Sequence, residues 1–558
     1  MKVMRAESPQ AYRDAAFSQI PRILSLQDRN PFSKTYGCFH RNFWFHRTSD
    51  FPSAINQMGV HSLALIWSQP FDNNPYYQNP QILEWCLAGI RFWIKCQHKD
   101  GSFDEWYPNE RGWAGPTGYL VHAMADTYFI LKDAFPEELR PDFINAIRRA
   151  GHYLIAYDEE FVLANHHAIA LLPIYEAYLI VQEEALLKGF HRKFAEFEKY
   201  CYSEGWSLEY DGVDIGYLSG TISFLSRLYK HWPDKRIAAI VEKAVGFTSY
   251  HLYPHGYFGG AMGSRETAHF YHFGYEFWAS QLPLAAKMAR TGLEFLEEGK
   301  LVSPGTQEDH YVLYRISEYL EAYLAWKPKR DGLPLLPWEG PDDFEKFFSQ
   351  AGIYVRKKGN TYLVVNLNKG GVVKAFDIPT RRLVCNDAGW MAQLANGKAV
   401  TSRWNDPQHK VNASDSKDLH VSGAGQYMVS KIFSPQTMIL FRIFMLLFGW
   451  NAPLAYHIKA LIRRILMVGA RRAPMAFERS ISWQDNSLTV IDKISLEGDT
   501  QVRKIYMGDE LPVRYVPQSR YFQAYELDVF GQYLSSLEIE ELNRNKTIQI
   551  SRQFSLKK

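Results

Sequence analysis

The strongest constraint on the fold of this chain is a change of hydrophobic period near residue 330. Before it, apolar residues recur three and four apart over 81–96, 117–134, 143–157, 166–181, 186–202, 216–231, 237–252, 268–289 and 309–326. That is the period of helices that bury one face. After Pro328 the pattern is interrupted by a stretch rich in proline and glycine, Leu333-Pro334-Leu335-Leu336-Pro337-Trp338-Glu339-Gly340-Pro341, a signature of turns rather than of regular structure. Short β-rich runs follow at 362–365, 371–375, 487–491 and 546–550, bounded as strands are. The pattern predicts an α+β multidomain protein. An N-terminal (α/α) toroid of paired helices is expected over 1–330, a linker over 331–350, and a C-terminal antiparallel β-sandwich over 351–558.

Polar motifs recur in the helical half every fifty to sixty residues. They are Gly101-Ser102-Phe103-Asp104-Glu105-Trp106-Tyr107, then Ala164-Asn165-His166-His167, then Glu209-Tyr210-Asp211-Gly212-Val213-Asp214 with Gly216-Tyr217, and then Gly263-Ser264-Arg265-Glu266-Thr267-Ala268-His269 running to His272. One such motif per helical hairpin fits a ring in which alternate inter-helix loops open on the same end. Amide, phenol, imidazole and guanidinium groups would then converge on one cleft.

The charges nearly cancel, with 63 Lys and Arg against 60 Asp and Glu, so there is no bulk field to attract nucleic acid and any anion must be bound locally. The chain has 34 Tyr and 15 Trp, side chains whose apolar faces and polar rims suit sugar rings when they are not core. The five cysteines are odd in number and scattered, with no CxxC pair, which points to buried thiols rather than a disulfide framework. The start of the sequence, Met1-Lys2-Val3-Met4-Arg5, shows no apolar run of the signal-peptide kind, so a cytoplasmic location is the expectation.

The toroid followed by a sandwich, with Asn165-His166 opening an inner helix and Tyr217 about fifty residues later, resembles the heparinase II/III-like polysaccharide lyases. The resemblance spans nearly the whole chain as architecture, though its motifs are short. It implies that Asn165 neutralises the substrate carboxylate, that Tyr217 is the catalytic tyrosine, and that His166 is the histidine beside the amide. The His-x-His motif with a following Asp, common in that family's sandwich, does not occur; His409, His420 and His457 stand alone there. No metal and no cofactor is expected.

The chemistry can also be argued from the residues. Removing the C5 proton of a uronate requires donors that neutralise the neighbouring carboxylate as the enolate develops, and Asn, His and Arg are such donors. A tyrosine could take the proton or protonate the glycosidic oxygen if nearby cations lower its pKa. Departure of the leaving group gives β-elimination, and reprotonation from the other face gives C5 epimerisation. On this reading Asn165, His166, His167 and Tyr217 are catalytic, and Arg265, His269, His272, Glu105, Trp106 and Asp214 bind an acidic polysaccharide.

Each residue has a structural alternative. Asn165 could only cap the helix that follows, Tyr217 could belong to the core with Leu218, Ile222 and Leu225, and Arg265 could pair with Glu266 or Glu276. His166 and His167 point about 100° apart on a helix, so one of them packs away from the cleft. His269 and His272 would lie one helical turn apart, a spacing that can bind zinc, but no third ligand is evident. The carboxylates Asp104, Glu105, Asp211 and Asp214 keep a two-carboxylate glycoside hydrolase in play, and a non-catalytic glycan-binding protein would show many of the same aromatics.

The segment 437–474 is unusual for a sandwich. Its apolar run from Met438 to Phe448 contains Arg442 and is broken by Pro453, so it falls short of the roughly 20 residues that span a bilayer. Residues 454–468 set Ile458, Leu461, Ile462, Ile465 and Leu466 against Lys459, Arg463 and Arg464. A basic amphipathic insertion of this kind either docks on the sandwich with its basic side outward or lies on an anionic membrane surface.

Overall fold

In a computed structural model of the protein, the described residues are 8–157, 164–328, 332–415, 418–428, 433–463, 471–484, 486–510 and 521–556. The helical half begins with α1 (Gln10–Phe17), α2 (Ile20–Leu26) and the single-turn α3 (Arg41–Trp44). It continues with α4 (Gly59–Ser68), α5 (Pro80–Cys96), α6 (Ala114–Leu131), α7 (Arg140–Ala156), α8 (Ala164–Val181) and α9 (Glu184–Glu198). The remaining helices of this half are α10 (Ile215–His231), α11 (Lys235–Thr248), α12 (His272–Trp278), α13 (Pro283–Glu297) and α14 (Asp309–Ala325).

Helices α4, α6, α8, α10, α12 and α14 pack side by side in that order, and α14 returns to α4 to close the ring. Outside them lie α5, α7, α9, α11 and α13, each against a ring helix, with α1 against α14. The ring helices are buried on most of their surface, as α4 shows with Val60, His61, Leu63, Ala64, Leu65 and Ile66 all inside. A helix apolar nearly all round is what a position between two layers requires. The outer helices bury one stripe, Phe143, Ala146, Ile147, Ala150 and Leu154 in α7.

The single helix expected over 268–289 is instead two, α12 and α13, preceded by an extended segment. Pro283 starts a new helix at its first turn, where a missing N–H costs nothing. Before α12 the backbone finds partners elsewhere: Ser264 N–H donates to Val213 O at 2.8 Å, and the Ser219 hydroxyl donates to His269 O at 2.9 Å. With those groups satisfied, helix is not needed to pair them.

A small hairpin of β1 (Leu208–Glu209) and β2 (Gly212–Val213) precedes α10. The second half contains a five-stranded antiparallel meander of β3 (Phe344–Phe348), β4 (Ile353–Lys358), β5 (Thr361–Asn366), β6 (Val372–Asp377) and β7 (Arg382–Asp387). Facing it is an antiparallel sheet of β8 (Trp390–Leu394), β9 (Ala399–Thr401), β10 (Lys410–Asp415), β11 (Asp418–Tyr427), β12 (Arg472–Gln484), β13 (Ser487–Leu496), β14 (Val502–Met507), β15 (Gln532–Tyr533) and β16 (Thr547–Ser555). Leu363, Val365, Val373 and Ala375 of the meander pack with Trp390, Phe477, Val490 and Ile494 of the larger sheet. Its other face, with Ile353, Val355, Tyr362, Val364 and Phe376, joins the toroid core. The meander is thus covered on both sides, which explains its continuous apolar runs.

The insertion forms α15 (Pro435–Phe448) and α16 (Ala452–Arg463) between the paired strands β11 and β12. It docks on the toroid, not on the sandwich. Phe441 packs edge-on to Tyr107 at 5.0 Å, Asn109 donates to Met445 O at 3.2 Å, and Arg111 donates to Trp450 O at 2.8 Å. Lys459 is buried, donates to Gly112 O, and lies over the Tyr157 ring at 4.5 Å. The expectation of a basic side turned outward therefore fails at Lys459, whose ammonium finds a carbonyl and aromatic faces inside. The residues of that expectation from 464 to 468 lie outside the described residues.

Candidate functional site

A cavity with about 1050 Å³ of empty space, open to solvent, sits on one end of the ring. Every ring helix contributes the residues at or just before its N-terminus. They include Met58 before α4, Trp113 and Tyr119 at α6, Asn165 and His166 at α8, Tyr217 at α10, Arg265, His269 and Tyr271 ahead of α12, and His310, Tyr311 and Tyr314 at α14. Six helix N-termini bring the positive ends of their dipoles to one place, which favours an anion there.

Asn165 is held at the start of α8 by Glu209, whose carboxylate accepts from the Asn165 backbone N–H at 2.5 Å and from its side-chain Nδ2 at 2.6 Å. The expected alternative of simple capping is thereby reversed, because the helix N–H bonds a carboxylate from elsewhere and leaves the amide oriented rather than spent. Glu209 stands on β1, followed by a tight turn in which Tyr210 and Asp211 both have positive φ, 48° and 75°. Such a conformation is costly for a tyrosine and is held here from outside: Asn405, beyond β9, donates to Asp211 O at 2.6 Å. The turn presents the Tyr210 ring to the cavity, stacked 6.1 Å from Tyr217.

Arg265 lies over the Tyr210 ring at 4.4 Å and is 9% exposed. Among the described residues its guanidinium has no ion pair. The carboxylates considered for it are engaged elsewhere: Glu266 pairs with Lys369 at 3.0 Å, and Glu276 accepts from the Tyr12 hydroxyl at 2.8 Å. The Arg265 loop is anchored from both sides. Lys369, from the loop after β5, also donates to Ala261 O at 2.9 Å and Gly263 O at 2.7 Å, while Asp214 accepts from Arg265 N–H at 2.9 Å. The approach is so close that a Cβ on Gly263 would fall 2.6 Å from Asp214 Oδ2.

Asp214 is therefore a scaffold, contrary to the expectation that it binds substrate. It caps α10 by accepting from Tyr217 N–H at 3.2 Å and also accepts from the Thr267 hydroxyl. All its oxygens face protein, and it does not line the cavity. Burial holds its carboxyl above the usual range.

The Tyr217 phenol is pushed well above its ordinary pKa, first by burial and then by Tyr210 and Tyr311, with Arg265 opposing. The expectation that nearby cations would lower it is overturned, because desolvation of the phenolate outweighs one guanidinium. Burial shifts the histidines the other way. His269 is held neutral, and His310 is lowered to about 4. Among the described residues neither ring nitrogen of His269 has a hydrogen-bond partner; its ring stacks on Tyr311 at 6.1 Å. A neutral imidazole can accept a proton, but it brings no positive charge to the anion binding expected of it.

Of the histidine pair, His166 lines the cavity and His167 turns away to pack on Tyr200 at 5.4 Å. Gly115 makes room for His166, since a Cβ there would lie 2.5 Å from the ring. His272 also misses the cavity. It opens α12 and is fully buried among Tyr12, Phe270 and Tyr319. The one-turn spacing with His269 does not form, because residue 269 is in the extended segment. Among the described residues no cluster of three or more His, Cys, Asp and Glu is placed to hold a metal ion.

Glu105 and Trp106 line the cavity as expected. Their loop is organised by the buried Glu110, which accepts from Glu105 N–H at 3.0 Å, from Trp106 N–H at 2.7 Å and from the Trp113 indole. Trp106 stacks on His310 at 5.0 Å. Of the four carboxylates that a two-carboxylate hydrolase would draw on, Glu105 alone among the described residues lines the cavity. Asp104 bonds His98 and the backbone of Asn109, and Asp211 lies in the hairpin turn.

Sequence reasoning missed His310, Tyr311 and Tyr314. Their signal is present in the first two turns of α14, where His310 and Tyr314 stand at i and i+4, and Tyr311 and Tyr314 at i and i+3, as neighbours on the helix surface. It also missed the supporting roles of Glu209 and Lys369.

Neither a known protein family nor a curated protein matches the chain by sequence. Solved structures do match. Chondroitin AC lyase from Streptomyces coelicolor A3, solved in complex with chondroitin sulphate, is 10% identical over 89% of this chain and 71% of its own, with a TM-score of 0.48. Its architecture is similar to that of this chain. Heparinase III is 11% identical over 91% of this chain and 79% of its own, with a TM-score of 0.44. A sugar epimerase from a ruminal bacterium is 12% identical over 59% of this chain and all of its own, with a TM-score of 0.41.

Proposed function

We propose that the protein acts on the uronate residues of an acidic polysaccharide and cleaves the chain by β-elimination. The observation that carries this reading is Arg265, a nearly buried guanidinium that has no ion pair among the described residues and faces a cavity at six helix N-termini. A buried cation without a counter-ion is costly, and a substrate carboxylate would supply one. The Asn165 amide, oriented by Glu209, donates its remaining N–H to the same carboxylate and favours the enolate that develops on it.

Two neutral groups then divide the proton transfers. The imidazole of His269 takes the C5 proton. The C4–O bond breaks as the C4–C5 double bond forms, and the phenol of Tyr217 gives its proton to the departing oxygen. The proton on His269 returns to Tyr217 through solvent, which restores both groups. Trp106 and His310 offer a stacked aromatic face for a neighbouring sugar ring. The same acid and base support a second outcome, C5 epimerisation, in which the C4–O bond survives and Tyr217 reprotonates C5 from the face opposite His269.

The test is the ultraviolet absorbance of the unsaturated uronate end left by elimination, followed with a panel of acidic polysaccharides for wild type and Tyr217→Phe. A rise abolished by the substitution is expected. No rise, but C5 deuterium uptake from heavy water, would assign the epimerase. Absence of both would refute uronate proton chemistry at this site.

A further inference from the structure

The insertion between β11 and β12 carries a feature that a polysaccharide-cleaving cavity does not require. Helix α15 touches the protein through a narrow stripe: Met445 is buried, Phe441 and Arg442 are half-buried, and Gly449 follows one turn on. The rest of the helix is apolar and faces outward. Leu440 is 68% exposed, Leu446 62% and Leu447 59%, with Ile439, Ile443 and Phe448 beside them and Trp450, 68% exposed, at the end. Leu454 and Leu461 of α16 are also exposed. Isolated surface leucines need no explanation, but a continuous apolar helix face marks an interaction surface.

Charge decides between the surfaces such a face could meet. From Leu419 to Phe477 the chain has no Asp or Glu, while seven Lys and Arg fall within that stretch; of these, Lys459 is buried against Gly112 O, Arg442 pairs with Asp50 at 3.5 Å and Arg472 with Glu497 at 2.6 Å. The whole protein is otherwise nearly neutral, with 63 basic and 60 acidic residues. An apolar face with a terminal tryptophan, on an insertion whose own sequence carries basic residues and no acid, matches the boundary of an anionic bilayer: apolar side chains enter the acyl region, tryptophan sits at headgroup level, and the cations not already paired within the protein meet lipid phosphates. No described helix is long and apolar enough to cross a membrane, so the contact would lie in the interface plane.

The insertion is also tied to the cavity. Its buried stripe rests on Tyr107 and Asn109, in the loop that carries Glu105 and Trp106. Arg442, from the same helix, lines an outer groove together with Glu105, Trp106 and His310. We propose that α15 docks the protein on the surface of an anionic membrane, with the cavity mouth beside the bilayer.

The experiment is vesicle flotation of the full-length protein, with phosphatidylcholine alone and with phosphatidylcholine containing phosphatidylglycerol, for wild type and Leu440→Asp/Leu447→Asp. Both leucines are solvent-facing, so the variant should keep the wild-type melting temperature, which is checked alongside. Wild type is expected to float with the anionic vesicles. The aspartate pair should weaken binding at least tenfold, and raising the salt should weaken wild-type binding progressively, by up to about fivefold for each Lys or Arg at the lipid surface that becomes screened. A second, conservative variant, Leu440→Ile/Leu447→Ile, should bind as wild type. Failure of wild type to float with any vesicle, or equal binding by the aspartate variant, would overturn the proposal. So would a wild-type dimer that the aspartate pair converts to monomer without any vesicle binding, since α15 would then cover a second copy. Flotation needs no turnover, so its result stands apart from that of the elimination assay.

Discussion

The Glu209 carboxylate offers a test in which stability and catalysis should separate. It accepts two bonds from one residue, the backbone N–H and the Nδ2 of Asn165, and it is fully buried. Glu209→Gln keeps the shape but leaves one oxygen for two donors and turns an NH2 toward the other. Hydrogen bonds to a charged group contribute about 1.5–3 kcal/mol each, so the substitution should cost about 2–3 kcal/mol of folding stability. It should also let the Asn165 amide rotate, lowering kcat/KM by about 10- to 100-fold. Asn165→Ala removes the amide itself, and loss of one donor to a developing oxyanion costs about 10²–10³.

The double variant discriminates. If Glu209 acts on turnover only by aiming Asn165, then adding Glu209→Gln to Asn165→Ala should change kcat/KM by no more than two- or threefold. In Asn165→Ala only the backbone N–H remains, and the one Gln oxygen can accept it, so the stability cost of Glu209→Gln in that background should fall to that of exchanging a charged for a neutral acceptor, about 1 kcal/mol. The assay is the elimination rate, or C5 exchange if that is the reaction, with urea unfolding of all four proteins. A Glu209→Gln penalty on kcat/KM that is the same with and without the Asn165 side chain would refute the reasoning, because additivity means that the two residues act independently.

Other outcomes follow from the same geometry. Lys369→Met removes the buried ammonium that pairs with Glu266 and frees the Arg265 loop; breaking such a pair costs about 3–5 kcal/mol, and KM for substrate should rise although residue 369 never meets it, which steady-state kinetics would show. Gly115→Ala drives a methyl into the His166 ring, so activity should fall tenfold or more while the far-ultraviolet circular dichroism stays native. Burial holds His251 at about 3 and His310 at about 4, against about 6.5 in an unfolded chain. Their neutral forms therefore favour the fold fully above pH 6.5, and stability is lost as the pH falls from there toward 4. A urea midpoint at pH 5 equal to that at pH 7.5 would contradict this.

The recurrence of polar motifs every fifty to sixty residues has a mechanical origin, and it decides what could be read without coordinates. Ring helices α6, α8, α10 and α12 start at residues 114, 164, 215 and 272, so one inner helix, one outer helix and two loops set the repeat. Each repeat returns the chain to the same end of the ring with an N-terminus pointing at the cavity. Asn165 and Tyr217 were legible because they stand at those starts, where a side chain either caps its own helix or faces the cleft, and Arg265 because it stands in the loop leading to the next one. Which it does is settled by contacts the sequence does not advertise: Glu209 reaches Asn165 across 44 residues, and Lys369 reaches Glu266 across 103. The same long-range contacts explain the errors. Asp214 looks like a site carboxylate by position, but Thr267 and the Arg265 backbone, fifty residues on, saturate its oxygens. His272 keeps a site-like spacing from His269, but Ser219 holds residue 269 in an extended segment, and residue 272 falls in the core. Where a ring is closed by packing between neighbouring repeats, a residue's role is thus set by the repeat beside it, and local pattern identifies the end of the ring but not the hand that each side chain plays there.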